Sequence, residues 1–189
     1  MALNGKGSGL VTKQTVIAYW LIPSEPTHSF FQATIADLAH RWDAPLFEPH
    51  VTIHVGADRA DAAKETVGKV ARQGKRIGLT PLGIDHSDEF IKTLFVQFAM
   101  DVELRKINEI IRNAAHDSVE YKLNPHLSLL YKNLAAVARR ELAASTNVPL
   151  SEVTFEAIKA VRCVSPTESA ADVEAWRVVA ASSFAGDLD

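Results

Sequence analysis

Two short runs repeat one order of residue types: PHVTIHV at residues 49–55 and PHLSLLY at residues 125–131 each give proline, histidine, an aliphatic residue, a hydroxyl residue and a second aliphatic. Imidazole titrates near neutrality, so two of them in one site can hold opposite protonation states. Opening a phosphodiester asks for that pair, a base to take a proton from attacking water and an acid to give one to the leaving oxygen. His50 and His126 are the candidates. Thr52 and Ser128 follow two positions later, which in a strand is the same face, and there their hydroxyls could donate to nonbridging phosphate oxygens. Placed donors and acid-base groups each supply on the order of several kcal/mol, so the chemistry asks for no metal or other cofactor.

A metal site is the competing reading, because His50 and His54 are four positions apart. That spacing unites two ligands on a helix, whereas this run alternates as a strand, with Val51, Ile53 and Val55 on one side and His50, Thr52 and His54 on the other. His28, His40, His86 and His116 have no comparable context and are expected at the surface or at helix ends. The GKGSG at residues 5–9 lacks both the full spacing and the preceding strand of a phosphate loop.

The elements that must position these residues follow from periodicity. Residues 14–22 form a β-branched and aromatic run closed by Pro23, and read as a largely buried strand with Trp20 near its end. Phe30, Phe31, Ile35 and Leu38 recur at helical spacing up to Trp42. The first motif strand covers residues 47–55, and a surface helix follows over residues 58–73. Residues 76–84 and 90–98 read as a hairpin with a longer loop, and Val102, Leu104, Ile107 and Ile111 mark a helix ending near Asp117. The second motif strand places His126, Ser128 and Leu130 on one face and Leu127, Leu129 and Tyr131 on the other. A helix over residues 135–144 and strands over residues 153–164 and 175–181, joined by a polar loop, complete the chain. Strands that come singly and in hairpins indicate an α+β fold with antiparallel pairing, not a doubly wound parallel sheet. The two motifs, each followed by a turn and a helix, suggest related halves meeting about a pseudo-twofold axis with their polar faces in one cleft.

Composition sets outer limits. The 189 residues suit one domain over residues 14–189 behind a flexible tail at residues 1–13. A net charge of −3 gives no global footprint for gripping long nucleic acid. Cys163 is the only cysteine, so no intrachain disulfide can form, and a reduced cytoplasm fits best. No apolar run is long enough to span a bilayer and no signal-peptide stretch opens the chain, so the expectation is a monomer without membrane partners.

The paired motifs resemble the signature of the 2H phosphoesterase superfamily, two His-x-Thr/Ser-x segments with aliphatic residues at the x positions. The likeness extends to Trp20 and Pro23, to FEPHVTI, to PHLSLLY with Tyr131, and to the closing run KAVRCVSPTESAADVEAWRVVA. Within the superfamily the chain is most similar to small cyclic phosphodiesterases acting on ADP-ribose 1'',2''-cyclic phosphate and nucleoside 2',3'-cyclic phosphates. The resemblance implies two lobes of antiparallel strands flanked by helices around a central cleft, one lobe holding both termini. It implies His50 and His126 as the catalytic pair, Thr52 and Ser128 as phosphate ligands, Trp20 and Tyr131 as substrate contacts, and a 2'-phosphorylated product. It further suggests that neutral His126 activates the water and protonated His50 donates to the leaving oxygen, although pseudo-symmetry permits the reverse. Two other readings share the motifs: a 2'-5' RNA ligase-like or RNA-end phosphodiesterase, whose partner would be an RNA end, and a noncatalytic nucleotide-binding module.

Overall fold

A computed structural model describes residues 12–116 and 121–185. The GKGSG run and the rest of the expected tail up to residue 11 lie outside the described residues. In chain order come β1 (Gln14–Pro23), α1 (Thr27–Trp42), β2 (Val51–Ala57), α2 (Ala60–Gln73), β3 (Ile77–Leu79), β4 (Pro81–His86), a 3-10 turn (Phe90–Lys92), β5 (Leu94–Phe98), α3 (Val102–Ala114), β6 (His126–Leu130), α4 (Ala136–Ser145), β7 (Val153–Ser165), α5 (Ala170–Glu174) and β8 (Arg177–Ser183). The strands form one sheet in the order β3-β7-β1-β2-β6-β5-β4, with β8 also on β7, and each pairing is antiparallel. This is the α+β fold that the element order predicts. No helix among the described residues is long and apolar enough to cross a membrane.

The sheet narrows in the middle to a single residue pair, Val51 of β2 opposite Leu127 of β6. On one side lie β1, β2, β3, β7 and β8, and on the other β4, β5 and β6. The crossover helices exchange sides: α1 leaves β1 to pack on β6, while α3 leaves β5 to pack on α2 and β2. Asp101 starts α3 by accepting from the Glu103 and Leu104 amides at 2.7 and 3.3 Å, which satisfies donors that a helix N-terminus leaves open. The helices cover one face of the sheet, where Ile17, Tyr19 and Leu21 of β1 enter the main core, and Ala18 and Trp20 point to the opposite, concave face.

Several boundaries differ from the periodic reading. The strand expected over residues 76–84 is two strands at opposite ends of the sheet: β3 pairs with β7 and β4 with β5. The break falls at Pro81, which has no N–H to continue a ladder. The expected strand at residues 90–98 opens instead with the 3-10 turn, because Thr93 Oγ1 donates to the Lys132 carbonyl at 2.6 Å and ties that turn to the end of β6. The helix of residues 102–114 stops short of Asp117, which is outside the described residues, and the closing polar loop holds the short α5.

Both motif strands also depart from strict alternation, at the same place. Thr52 pairs with Trp20 and His54 with Tyr19, so Ile53 is an extra residue in β2. Ser128 pairs with Phe95 and Leu130 with Leu94, so Leu129 is an extra residue in β6. A bulge of one residue exchanges the faces of everything beyond it. His54 therefore turns to the helix side with Tyr19, 6.1 Å between ring centroids, and not to the side of His50 as alternation predicts. Val55 and Tyr131, five residues after the two histidines, are correspondingly brought round to line the cleft.

Candidate active site

The concave face and the loops above it enclose a cleft of about 1010 Å³ that spans the Val51–Leu127 pair. His50, Thr52, His126, Ser128, Trp20 and Tyr131 all line it. One step to either side of that pair, antiparallel register sets His50 across from Ser128 and Thr52 across from His126, so each histidine faces the hydroxyl of the other motif. The arrangement is twofold in its backbone register and in the positions of its four polar residues.

Each imidazole is held by the same local device. His50 Nδ1 lies 2.6 Å from the Glu48 carbonyl, and His126 Nδ1 lies 2.7 Å from the Asn124 carbonyl. In both cases the carbonyl belongs to the residue before the motif proline, whose fixed φ bends the chain back toward the ring. A carbonyl only accepts, so Nδ1 carries a hydrogen and Nε2 remains to take up or give a proton.

Aromatic residues then brace the rings. His50, 6% exposed, stacks flat on Trp20 with 3.7 Å between centroids and 13° between planes, and Trp176 closes edge-on against both. Phe95 packs edge-on to His126 at 5.4 Å. Trp20 and Phe95 occupy equivalent positions, each the strand partner of its motif's hydroxyl residue. Trp20 is only 4% exposed, and most of its surface is taken by protein. Tyr131, 3% exposed, stacks on Phe47 at 3.7 Å, and burial raises its phenol pKa above the ordinary range.

The two hydroxyls are not equivalent. Ser128 Oγ donates to the Ile91 carbonyl at 2.8 Å, whereas Thr52 makes no hydrogen bond to a described residue through its side chain. A ligand in the cleft would meet Thr52 as a ready donor and would have to draw Ser128 away from Ile91.

Burial pushes the His50 pKa down to about 4, with the charges of His126 and Lys159 adding to the shift and the Glu48 carbonyl opposing it. His126 is lowered too, chiefly by burial, with Lys92 adding while the Asn124 carbonyl and Glu89 oppose. In the free protein both rings are therefore neutral at pH 7. Because the folded value of His50 lies below its ordinary 6.5, the unfolded chain binds the extra proton more readily. The stability this contributes is present above about pH 6.5 and is lost as pH falls toward about 4. Urea titrations at pH 7 and 4.5 should show a decline that exceeds that of His50→Gln by on the order of 2 kcal/mol. Equal declines in the two proteins would mean that His50 is not held neutral by the fold.

Periodicity does not single out Phe95, which reads in FIKTLFVQF as one apolar residue among several, or Lys92, which lies over the Phe95 ring at 4.5 Å from its centroid. Trp176 stands only within the closing run of the resemblance. Among the described residues no group of three or more His, Cys, Asp or Glu side chains converges to hold a metal, and the bulge turns His54 to the face of the sheet opposite the cleft that His50 lines. Cys163 also lines the cleft, and burial raises its thiol to about 11.

A bilobal antiparallel sheet with two His-x-Thr/Ser-x strands crossing at its waist defines a 2H phosphoesterase-like protein. Residues 15–184 match the family of cyclic phosphodiesterase-like proteins, and the chain belongs to that family. It is 27% identical over 172 residues to a cyclic phosphodiesterase of Arabidopsis thaliana, covering 89% of this chain and 94% of that one. Its fold is similar to TT0787 of Thermus thermophilus, with a TM-score of 0.57, 14% identity, and 91% and 99% of the two chains covered. It is also similar to E. coli LigT complexed with 3'-AMP, with a TM-score of 0.54, 9% identity, and 92% and 99% covered.

Proposed function

We propose that this chain hydrolyses nucleoside 2',3'-cyclic phosphates, ADP-ribose 1'',2''-cyclic phosphate or both, by metal-independent general acid/base catalysis at His50 and His126. The observation that carries the reading is the facing pair of His-x-hydroxyl units in one cleft, each imidazole capped at Nδ1 and open at Nε2. The relationship to the Arabidopsis cyclic phosphodiesterase supports the substrate class. A cleft of about 1010 Å³ has room for a nucleotide-sized molecule.

In the reaction, His126 Nε2 takes a proton from water as the water oxygen bonds to phosphorus. The bond from phosphorus to the 3' oxygen breaks, and His50 Nε2 gives that oxygen a proton, leaving a 2'-phosphate. Trp20 supports this assignment, since the face of an indole stabilises a cation stacked on it, whereas His126 meets only the edge of Phe95. The phosphate anion supplies the countercharge that lets buried His50 hold its proton. Thr52 and Ser128 donate to the nonbridging oxygens, the latter after leaving Ile91, and Tyr131 lines the cleft beside them.

The test is turnover of a nucleoside 2',3'-cyclic phosphate by the wild-type chain with EDTA throughout, the product read by phosphorus NMR. A 2'-phosphate formed without added metal is the expected result. A 3'-phosphate, or silence in EDTA relieved by a divalent cation, would refute the mechanism. Silence on mononucleotides with cleavage of RNA ends would move the substrate to the RNA-end class, and tight binding without turnover would leave a recognition module.

A further inference from the structure

Neither Gln97 nor Lys159 lines the cleft, yet each reaches the backbone segment whose carbonyl holds one catalytic imidazole. Lys159 stands on β7 opposite Trp20, and its Nζ donates to both carboxylate oxygens of Glu48 at 2.5 and 2.7 Å. The Glu48 carbonyl is the one that caps His50. Gln97 stands on β5 opposite His126, and its Nε2 donates to the Asn124 side-chain oxygen at 3.0 Å and to the Pro125 carbonyl at 2.8 Å, with the Phe98 carbonyl at 3.2 Å. The Asn124 carbonyl is the one that caps His126. In both halves a long polar side chain from a neighbouring strand thus pins the residue that precedes the motif proline. The backbone device is repeated, but the chemistry is not: one anchor is an ion pair and the other an amide.

We propose that Lys159 and Gln97 are positioning residues, which fix the Glu48 and Asn124 carbonyls and so hold His50 and His126 as the Nδ1–H forms with Nε2 toward the cleft. The inference rests on the two-histidine reading for its kinetic consequence, but not for its structural one. A ring that loses its capping carbonyl can turn or change tautomer, and a wrong tautomer removes acid-base catalysis without weakening substrate binding to the same degree. The charges facing these groups are few. Glu48 also has His28 Nε2 at 3.7 Å, and His126 has Lys92 and Glu89 nearby, so removing Lys159 changes the field at His50 whereas removing Gln97 changes none at His126.

The experiment uses the full chain with Gln97→Leu, Lys159→Met and Lys159→Arg. The imidazole nitrogen shifts of the free protein are read by NMR, and kcat and KM are measured on a nucleoside 2',3'-cyclic phosphate. Gln97→Leu should lose the Nδ1–H pattern at His126 alone and Lys159→Met at His50 alone. Each should lower kcat roughly 10-fold or more with KM within about threefold, and Lys159→Arg should restore most of it. Unchanged ring nitrogens, or both rings changing together in either variant, would overturn the proposal. Should Gln97→Leu fail to fold, Gln97→Met keeps the length without the donor or any new charge and answers the same question. If the wild-type chain turned over no cyclic phosphate, the function would fail while the ring nitrogens still decided the anchoring.

Discussion

Replacing either His50 or His126 with alanine is expected to lower kcat/KM on a nucleoside 2',3'-cyclic phosphate by roughly 100-fold or more, and removing both should do little further damage. In the proposed mechanism the two rings serve one displacement, one receiving the proton of water while the other keeps the leaving oxygen from departing as an alkoxide. Without either partner the remaining group has no complete step to assist, so the effects should not add. The two variants should differ in stability. His126 is half-buried at the cleft wall, whereas His50 is enclosed by Trp20, Trp176 and Phe47, and its removal leaves space beneath the indole. Circular dichroism and urea denaturation alongside the kinetics will separate this packing loss from the chemical one. Near wild-type turnover in either variant would end the two-histidine mechanism, and strictly multiplicative losses would place the rings in different steps.

The second large effect concerns Trp20. Trp20→Ala should remove on the order of 3 kcal/mol of unfolding free energy and abolish most turnover, with Trp20→Phe intermediate in both. The indole fills the concave side of β1 with Ala18, Ile22 and Val161 and carries His50 on its face, so truncation opens a cavity and frees the imidazole together. A direct ligand contact alone would predict the opposite balance, a raised KM with stability nearly intact. Urea midpoints and a kcat-against-KM comparison distinguish these outcomes.

Much of this arrangement is legible in the chain because it is local. The paired PHVT and PHLS runs, the alternation of their strands and the 3.6-residue spacing along α1 and α3 each depend on neighbours within a few residues. What is not legible depends on distant partners. Nothing in residues 76–86 says that Ile77 will join Phe155 at one end of the sheet while Ile84 joins Val96 at the other, although Pro81 marks the break. Ile53 and Leu129 look like ordinary strand residues, and only pairing with β1 and β5 makes each of them the extra one. Hence regular alternation puts His54 in the cleft and Tyr131 outside it, and both placements are reversed. Trp20 is visible as a residue of interest, but its place beneath His50 follows from a strand pairing that no local pattern encodes.

The narrow waist at Val51 and Leu127 has a mechanical meaning. In a hinged body, displacement grows with distance from the pivot, so parts beside the pivot hardly travel while the far ends sweep widely. His50 and His126 each sit one residue from that rung. Rocking of the two lobes would widen or narrow the mouth for a bulky ribose or base, yet leave the separation of the two imidazoles nearly constant. Reach and spacing would thereby be uncoupled: loops far from the rung, such as the segment before α5, can vary with the molecule they admit while the two imidazoles keep their separation.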